Sequence, residues 1–378
     1  MSDYWNAVDS ILQAISDSEE AQLDELVDHY ISSSKDLLRD NERQRYSFTE
    51  RHRREWGKAL DLLGRMHFLS LDVGRRFNGQ CRESEATGPL ASLFDVLTRL
   101  HGRSCLVASE IRVLLSSGHA SGAQARWRTL FETVVVMLFV ASHGEEVAER
   151  YLLHERMTTA EAAEEYEKYQ DKLAVEPLGE KETVRLRETY DQLKSEYGGE
   201  FATDYGWAAP ALKQEGIDTG GRTGLSQIAQ SVGLDHLWPY YTLANHSVHA
   251  GSKAITFNLG LMDGPNRILS GPSNYGLTDP ASCTAVMLEH SLLPLLMYGI
   301  RRFDQEKPAP EIVTSEMVEV ALAVDAITQL SKRCQEEFDS VQRGIEERER
   351  ERQETWGGVD WEEAINWDEL GDMDKEHD

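Results

Sequence analysis

The sequence predicts an all-α fold: a multi-helix bundle with long peripheral helices and a disordered acidic C-terminal tail. Three observations carry this. Apolar residues recur at three- and four-residue spacing along most of the chain. Sustained alternation of β-branched residues, the mark of a half-buried strand, is almost absent. With 40 % hydrophobic and 28 % charged residues over 378 positions, the chain has enough apolar side chains for a real core.

The elements follow in order. "SDSE", where Ser16 and Glu19 match a capping box, opens a predicted helix over 16–39. A second, heavily charged helix is expected over 43–80, with Gly57, Gly64 and Gly74 as its weak points. Pro89 suits a first helical position, and the next helix runs to about Ser117 before Gly118. An apolar helix covers 122–142 and stops at "SHG". Charged helices follow over 145–175 and 180–197, separated by Pro177 and Gly179. The glycine-rich stretch 206–224 reads as a loop, 225–232 as a short helix and 258–280 as a second long loop. Between the loops a helix is expected over 240–253. Two helices close the fold, over 281–304 and 312–352. The expected organisation is an N-terminal helical region (1–82), a central bundle (83–304), a long C-terminal helix (305–355) and a tail (356–378).

The formal net charge of −27 shapes the expected partners. So negative a surface repels phosphate backbones and anionic lipid, which argues against bulk nucleic-acid binding and leaves open only a local basic groove. Residues 336–378 hold 17 acids and 5 bases, close to half of the net charge. Trp356, Trp361 and Trp367 punctuate that tail, a pattern suited to docking on a basic, apolar groove. Long charged helices predict a protein partner or a homo-oligomer. The opening "MSDYWNAVDS" has no basic region followed by an apolar one, and the apolar runs at 134–141 and 285–300 read as core helices. The expectation is a cytoplasmic protein with no membrane contact. Cys81, Cys105, Cys283 and Cys334 have no metal or redox spacing and read as packed thiols.

The chemistry concentrates in "YYTLANHSVHAGS", residues 240–252. On a helical wheel Thr242, Asn245, His246, His249 and Lys253 share one polar arc, opposite Leu243, Ala244 and Val248 and with Tyr241 at the edge. In so acidic a chain this polar face holds no Asp or Glu. It offers imidazoles, which exchange protons near neutral pH, and an ammonium, so it suits an anionic group. A second group lies on "ARWRTLFETVVVMLFVAS". Arg128 and Glu132 are four apart and fall at the shoulder of the apolar face, where each needs a partner. Arg150, Tyr151 and His154 on the next helix are positioned to join them. The candidate catalytic residues are therefore His249, His246, Glu132 and Arg128, with Tyr241, Asn245, Lys253 and Arg150 as ligand contacts. No G-x-S-x-G, phosphate loop or Glu-x-x-His is present, and His246 with His249 and Glu132 makes an incomplete ligand set, so no metal or cofactor is expected.

The pieces "RWRTLFE", "AERYLLH" and "YYTLANHSVHAGS" resemble a bacterial all-helical family catalogued only as a domain of unknown function. The resemblance implies coverage from about residue 90 to 300 and points to Arg128, Glu132, Tyr241 and His249, without assigning chemistry. Two function classes follow. The first is a ligand- or protein-binding scaffold with a polar His/Arg/Glu cleft. The second is a metal-independent ribonuclease similar to toxins of the HEPN type, which pair an Arg with a nearby His. The local matches Arg45 to His52 and Arg112 to His119 are no more than chance supplies, so such an enzyme would use Arg128 and His249 from separate helices.

Overall fold

The computed structural model describes residues 2–85, 88–255, 258–261, 269–306 and 315–356. The tail 357–378, with the docking expected of it, lies outside these residues. Among them there are eleven α-helices, a few 3₁₀ turns and no strand. The chain divides into two compact units, 1–55 and 56–378. α1 (Ser2–Glu85) runs through this division: its residues up to Glu55 belong to the first unit and those from Trp56 onward to the second.

The second unit is built around α3 (Ala120–His143). Its residues Val134 to Ala141 are all buried, as a helix that is apolar all round must be. It packs against α2 (Ala91–Ser116), α9 (Thr278–His290), α10 (Leu293–Glu306) and α8 (Trp238–Asn245). From α1, Trp56, Leu63, Met66, Val73 and Phe77 enter the same core at helical spacing. α11 (Ser315–Trp356) lies against α9, with the Phe338 ring tilted against Trp56 at 5.5 Å between centroids.

Helix ends are finished by distant side chains. The first two N–H groups of α2 that need a partner, those of Ser92 and Leu93, donate to the Glu145 carboxylate at 2.8 and 2.9 Å. Glu145 begins α4 (Glu145–Leu173). At the other end of α3, Arg301 from α10 donates to the carbonyls of Ala141 and Ser142. α5 (Glu180–Tyr197) pairs with α4 as a hairpin and buries only Leu193.

Four expectations are corrected. The two helices expected over 16–39 and 43–80 form one, because Asp40, Asn41 and Glu42 tolerate a helix and no Gly or Pro divides them; the expected cap at Ser16 is helix interior. The helix expected over 281–304 is two, α9 and α10, interrupted at Ser291 and Leu292. Pro294 enforces this, since it has no N–H and its ring excludes a helical carbonyl four residues back. The loop expected at 206–224 contains a 3₁₀ turn (Gly206–Ala208) and α6 (Ala209–Gln214), started by Pro210; α7 (Leu225–Ser231) follows as expected. The helix expected over 240–253 starts earlier and ends at Asn245. Residues 246–248 turn, with the Val248 and His249 amides both donating to the Asn245 carbonyl. Ser247, Val248 and Gly251 are weak helix formers and let the chain leave.

The segment Thr278–Arg302 is long and apolar enough to cross a membrane, with a mean hydropathy of 1.3. It is two helices, and Leu288, Leu292, Leu295 and Tyr298 sit in the core. Its apolarity is that of a core element.

Candidate functional site

Four of the expected residues meet. Arg128 and Glu132 lie one turn apart on α3, a quarter to a third exposed, at the shoulder where the wheel puts them. Arg128 Nε donates to Glu132 Oε1 at 2.9 Å and to the Tyr241 hydroxyl at 3.0 Å. The Tyr241 hydroxyl donates in turn to Glu132 Oε1 at 2.6 Å. The Arg128 guanidinium lies over the Tyr241 ring, 5.0 Å from its centroid. Trp238 stacks on Tyr241, and Phe131 packs against it at 5.4 Å. One buried ring on α8 is thus pinned by aromatic packing and by both charges of an ion pair on α3.

His249 completes the group from the turn after α8. Its Nε2 is 3.2 Å from Arg128 Nη1. A guanidinium only donates, so Nε2 accepts and the ring proton sits on Nδ1. The imidazole is therefore neutral in this contact, and its Nε2 lone pair is occupied. The side chain of His249 is otherwise exposed.

The electrostatics follow from this wiring. Burial, then the bond to Glu132 and its charge, push the Tyr241 phenol up to about 12, with Arg128 pulling the other way. It is a neutral donor at any ordinary pH. Burial opposes the charge on Arg128, but Tyr241 and Glu132 outweigh it and hold the guanidinium above its usual range. Tyr205 nearby is pushed up by burial and then by the Glu132 charge.

The other expected residues stand apart from this group. Half-buried His246 lies in the turn, and its amide donates to the Leu243 carbonyl. Asn245 ends α8 with its Oδ1 buried and without a donor opposite it among the described residues. Lys253 is exposed in a 3₁₀ turn (Ser252–Ile255), because the helix expected to place it on one arc with the histidines stops at Asn245. Arg150 belongs to a separate cluster: its Nε donates to the Trp207 carbonyl at 3.0 Å, and its guanidinium lies over the Tyr197 and Phe201 rings. It holds the α4–α5 hairpin to the segment after it.

An open cleft of about 570 Å³ has Glu132 in its lining. α3 contributes Thr129, Glu132, Thr133 and Val136; α4 contributes Tyr151, His154, Glu155 and Thr158; Leu100 and Arg103 come from α2, and Asp204, Tyr205 and Trp207 from the turn before α6. Glu132 Oε1 carries both hydrogen bonds of the Arg128–Tyr241 group, while Oε2 has none among the described residues. His154 is buried, donates through Nε2 to the Thr203 carbonyl at 3.0 Å, and is held below its ordinary value chiefly by burial. Tyr151 and His154 are legible from "AERYLLH". Tyr205 and Trp207 are not, because they sit in a glycine-broken stretch without periodicity. The two threonines are readable in principle: 129 and 133 are one turn apart, flanking Glu132 on the same helix.

No curated protein and no solved structure matches the chain. Residues 94–266 do match a family model, a span shorter than the 90–300 expected and one that takes in both halves of the site. The stretch that brings Arg128, Glu132, Tyr241 and His249 together is similar to a family of unknown function (DUF5677).

Proposed function

We propose that this chain is a binding protein whose cleft beside Glu132 takes a small organic cation. The observation that carries the reading is the arrangement of Glu132. Arg128 and Tyr241 both engage Oε1, which fixes the carboxylate and leaves Oε2 without a hydrogen bond among the described residues, and Glu132 lines a cleft that also holds Tyr151, Tyr205 and Trp207. The lining supplies Glu132, Glu155 and Asp204 against Arg103, with Tyr151, Tyr205 and Trp207 as surfaces for the face of a cation or an apolar body. The Arg128–Glu132 pair at 2.9 Å weakens the pull of Arg128 on an anion as it weakens that of Glu132 on a cation, so the preference for a cation rests on the rest of the cleft's charge, Glu155 and Asp204 against Arg103.

A panel of small amines and guanidines, beside carboxylates and phosphates of like size, tests this by thermal shift and calorimetry. Ligand at about a hundred times its Kd adds about 2.7 kcal/mol, enough to raise Tm by a few degrees. Amines or guanidines should stabilise the wild type and not Glu132→Gln. Stabilisation by the anions alone would sink the reading.

The ribonuclease reading rests on the 3.2 Å approach of His249 Nε2 to Arg128 Nη1, the one cross-helix contact such an enzyme needs. Against it, His249 has no free lone pair at Nε2 until Arg128 lets go. Total-RNA integrity in cells overproducing wild type or His249→Ala, at equal soluble levels, separates the two. The binding reading expects intact RNA from both; degradation by the wild type only would establish the nuclease.

A further inference from the structure

The lining of the cleft holds three carboxylates, those of Glu132, Glu155 and Asp204, and one guanidinium, that of Arg103. Arg103 stands on α2 and Glu132 on α3. The two helices are joined by a short turn and run antiparallel, with Arg126 of α3 bound to Glu110 of α2. That register sets Leu100 across from Val136 and Arg103 across from Thr133, and all four line the cleft. Arg103 and Glu132 therefore occupy neighbouring positions on facing helices, yet they do not pair. Among the described residues Arg103 has no ion pair or hydrogen bond. Each acid of the lining has a partner elsewhere. Glu132 takes Arg128 and Tyr241, Glu155 accepts from the Thr159 hydroxyl at 2.8 Å, and Asp204 lies 3.8 Å from Arg222. The charge of Arg103 still reaches into the cleft: burial pushes the Tyr151 phenol up, and Arg103 pulls it the other way.

We propose that the ligand is an amino acid, with its cationic group toward Glu132 and its carboxylate on Arg103. This rests on the reading that the cleft takes an organic cation, and adds a second charge to that cation. A guanidinium presents a planar fork that matches a carboxylate through two parallel bonds. Its single positive charge also matches a single carboxylate. A phosphate ester would bring close to two negative charges into a lining that already has three carboxylates, so a phosphorylated amine fits less well. At about 570 Å³ the cleft has the volume of a small-molecule site.

Calorimetry on the full chain with matched ligands tests this. Arginine is titrated beside agmatine and phenylalanine beside phenethylamine, so that each pair differs by one carboxylate; phosphoethanolamine serves as the phosphate arm. In the wild type an amino acid should bind about tenfold or more tighter than its own amine. Arg103→Gln should bring that ratio to about one, and Arg103→Lys should keep part of it. Arg103 is exposed, so both variants should melt with the wild type. Equal binding of amine and amino acid, or a preference that survives Arg103→Gln, would overturn the carboxylate pairing and leave the cation reading standing. Tighter binding of phosphoethanolamine than of either amino acid would overturn it in favour of a phosphate. Binding of neither member of either pair would take the cation reading down with it.

Discussion

His101 shows how a single side chain ties stability to pH. It is buried between α1 and α2, with Nε2 3.2 Å from the Ser70 hydroxyl. Burial drives it down to about 4. Its unfolded value is near 6.5, so between these two values the unfolded chain holds a proton that the folded chain refuses. Stability is therefore lost as pH falls through that window, by up to about 3 kcal/mol from this group. Burial lowers His67 and His154 as well, with the same sign. Urea midpoints measured at pH 7 and pH 4.5 should differ, and His101→Gln should flatten part of the difference. An unchanged slope in that variant would assign the pH dependence elsewhere. At this scale the sequence is informative where a helix holds its period. Arg128 and Glu132 sit where the wheel puts them, and Tyr241 and His249 join them. It is uninformative where partners come from across the fold: nothing local says that Arg150 spends its guanidinium on the Tyr197 and Phe201 rings.

Between elements, close approach decides which residues are tolerated. Gly74 on α1 faces His101 on α2, and a Cβ at that position would collide with Cε1 and Nδ1 of the ring. The glycine that reads as a weak point in a charged helix is the residue that lets the two helices meet there. Helix propensity alone favours Gly74→Ala by nearly 1 kcal/mol. Overpacking a fully buried imidazole costs about 1–3 kcal/mol and should prevail. Chemical denaturation should show the variant less stable than the wild type. A stabilised variant would mean the ring has room to move. Local and distant causes also divide the helix ends. Pro294 breaks the α9–α10 segment through the chemistry of one residue, which the sequence displays directly. The C-terminus of α8 depends on Asn245 accepting two amides, a choice that weak propensities leave open until the chain is packed.

Across the molecule, the family match and the folding unit have different limits. Residues 94–266 contain α3 but omit α9 and α10, which pack against it, and the part of α1 that lends Trp56 and Met66 to the core. Excised, that stretch should lack the cooperative melt of the whole chain and bind hydrophobic dye, whereas 56–356 should melt cooperatively; a sharp transition from 94–266 alone would show the match to be a self-sufficient domain. The all-α class is legible because helical periodicity is local. The division at Glu55 and Trp56 is not, because it falls inside a continuous helix and leaves no loop, glycine or proline to mark it. The cap that Glu145 places on α2 has a consequence for the order of assembly. Those two amides find their acceptor 53 and 52 residues downstream, only after α3 has folded back along α2 and α4 has begun. The start of α2 is thus closed late, at the far end of a long loop whose closure entropy has already been met. Glu145→Ala should accelerate unfolding while leaving the folding rate nearly unchanged, so this carboxylate acts as a latch on a structure already formed rather than as part of its nucleus.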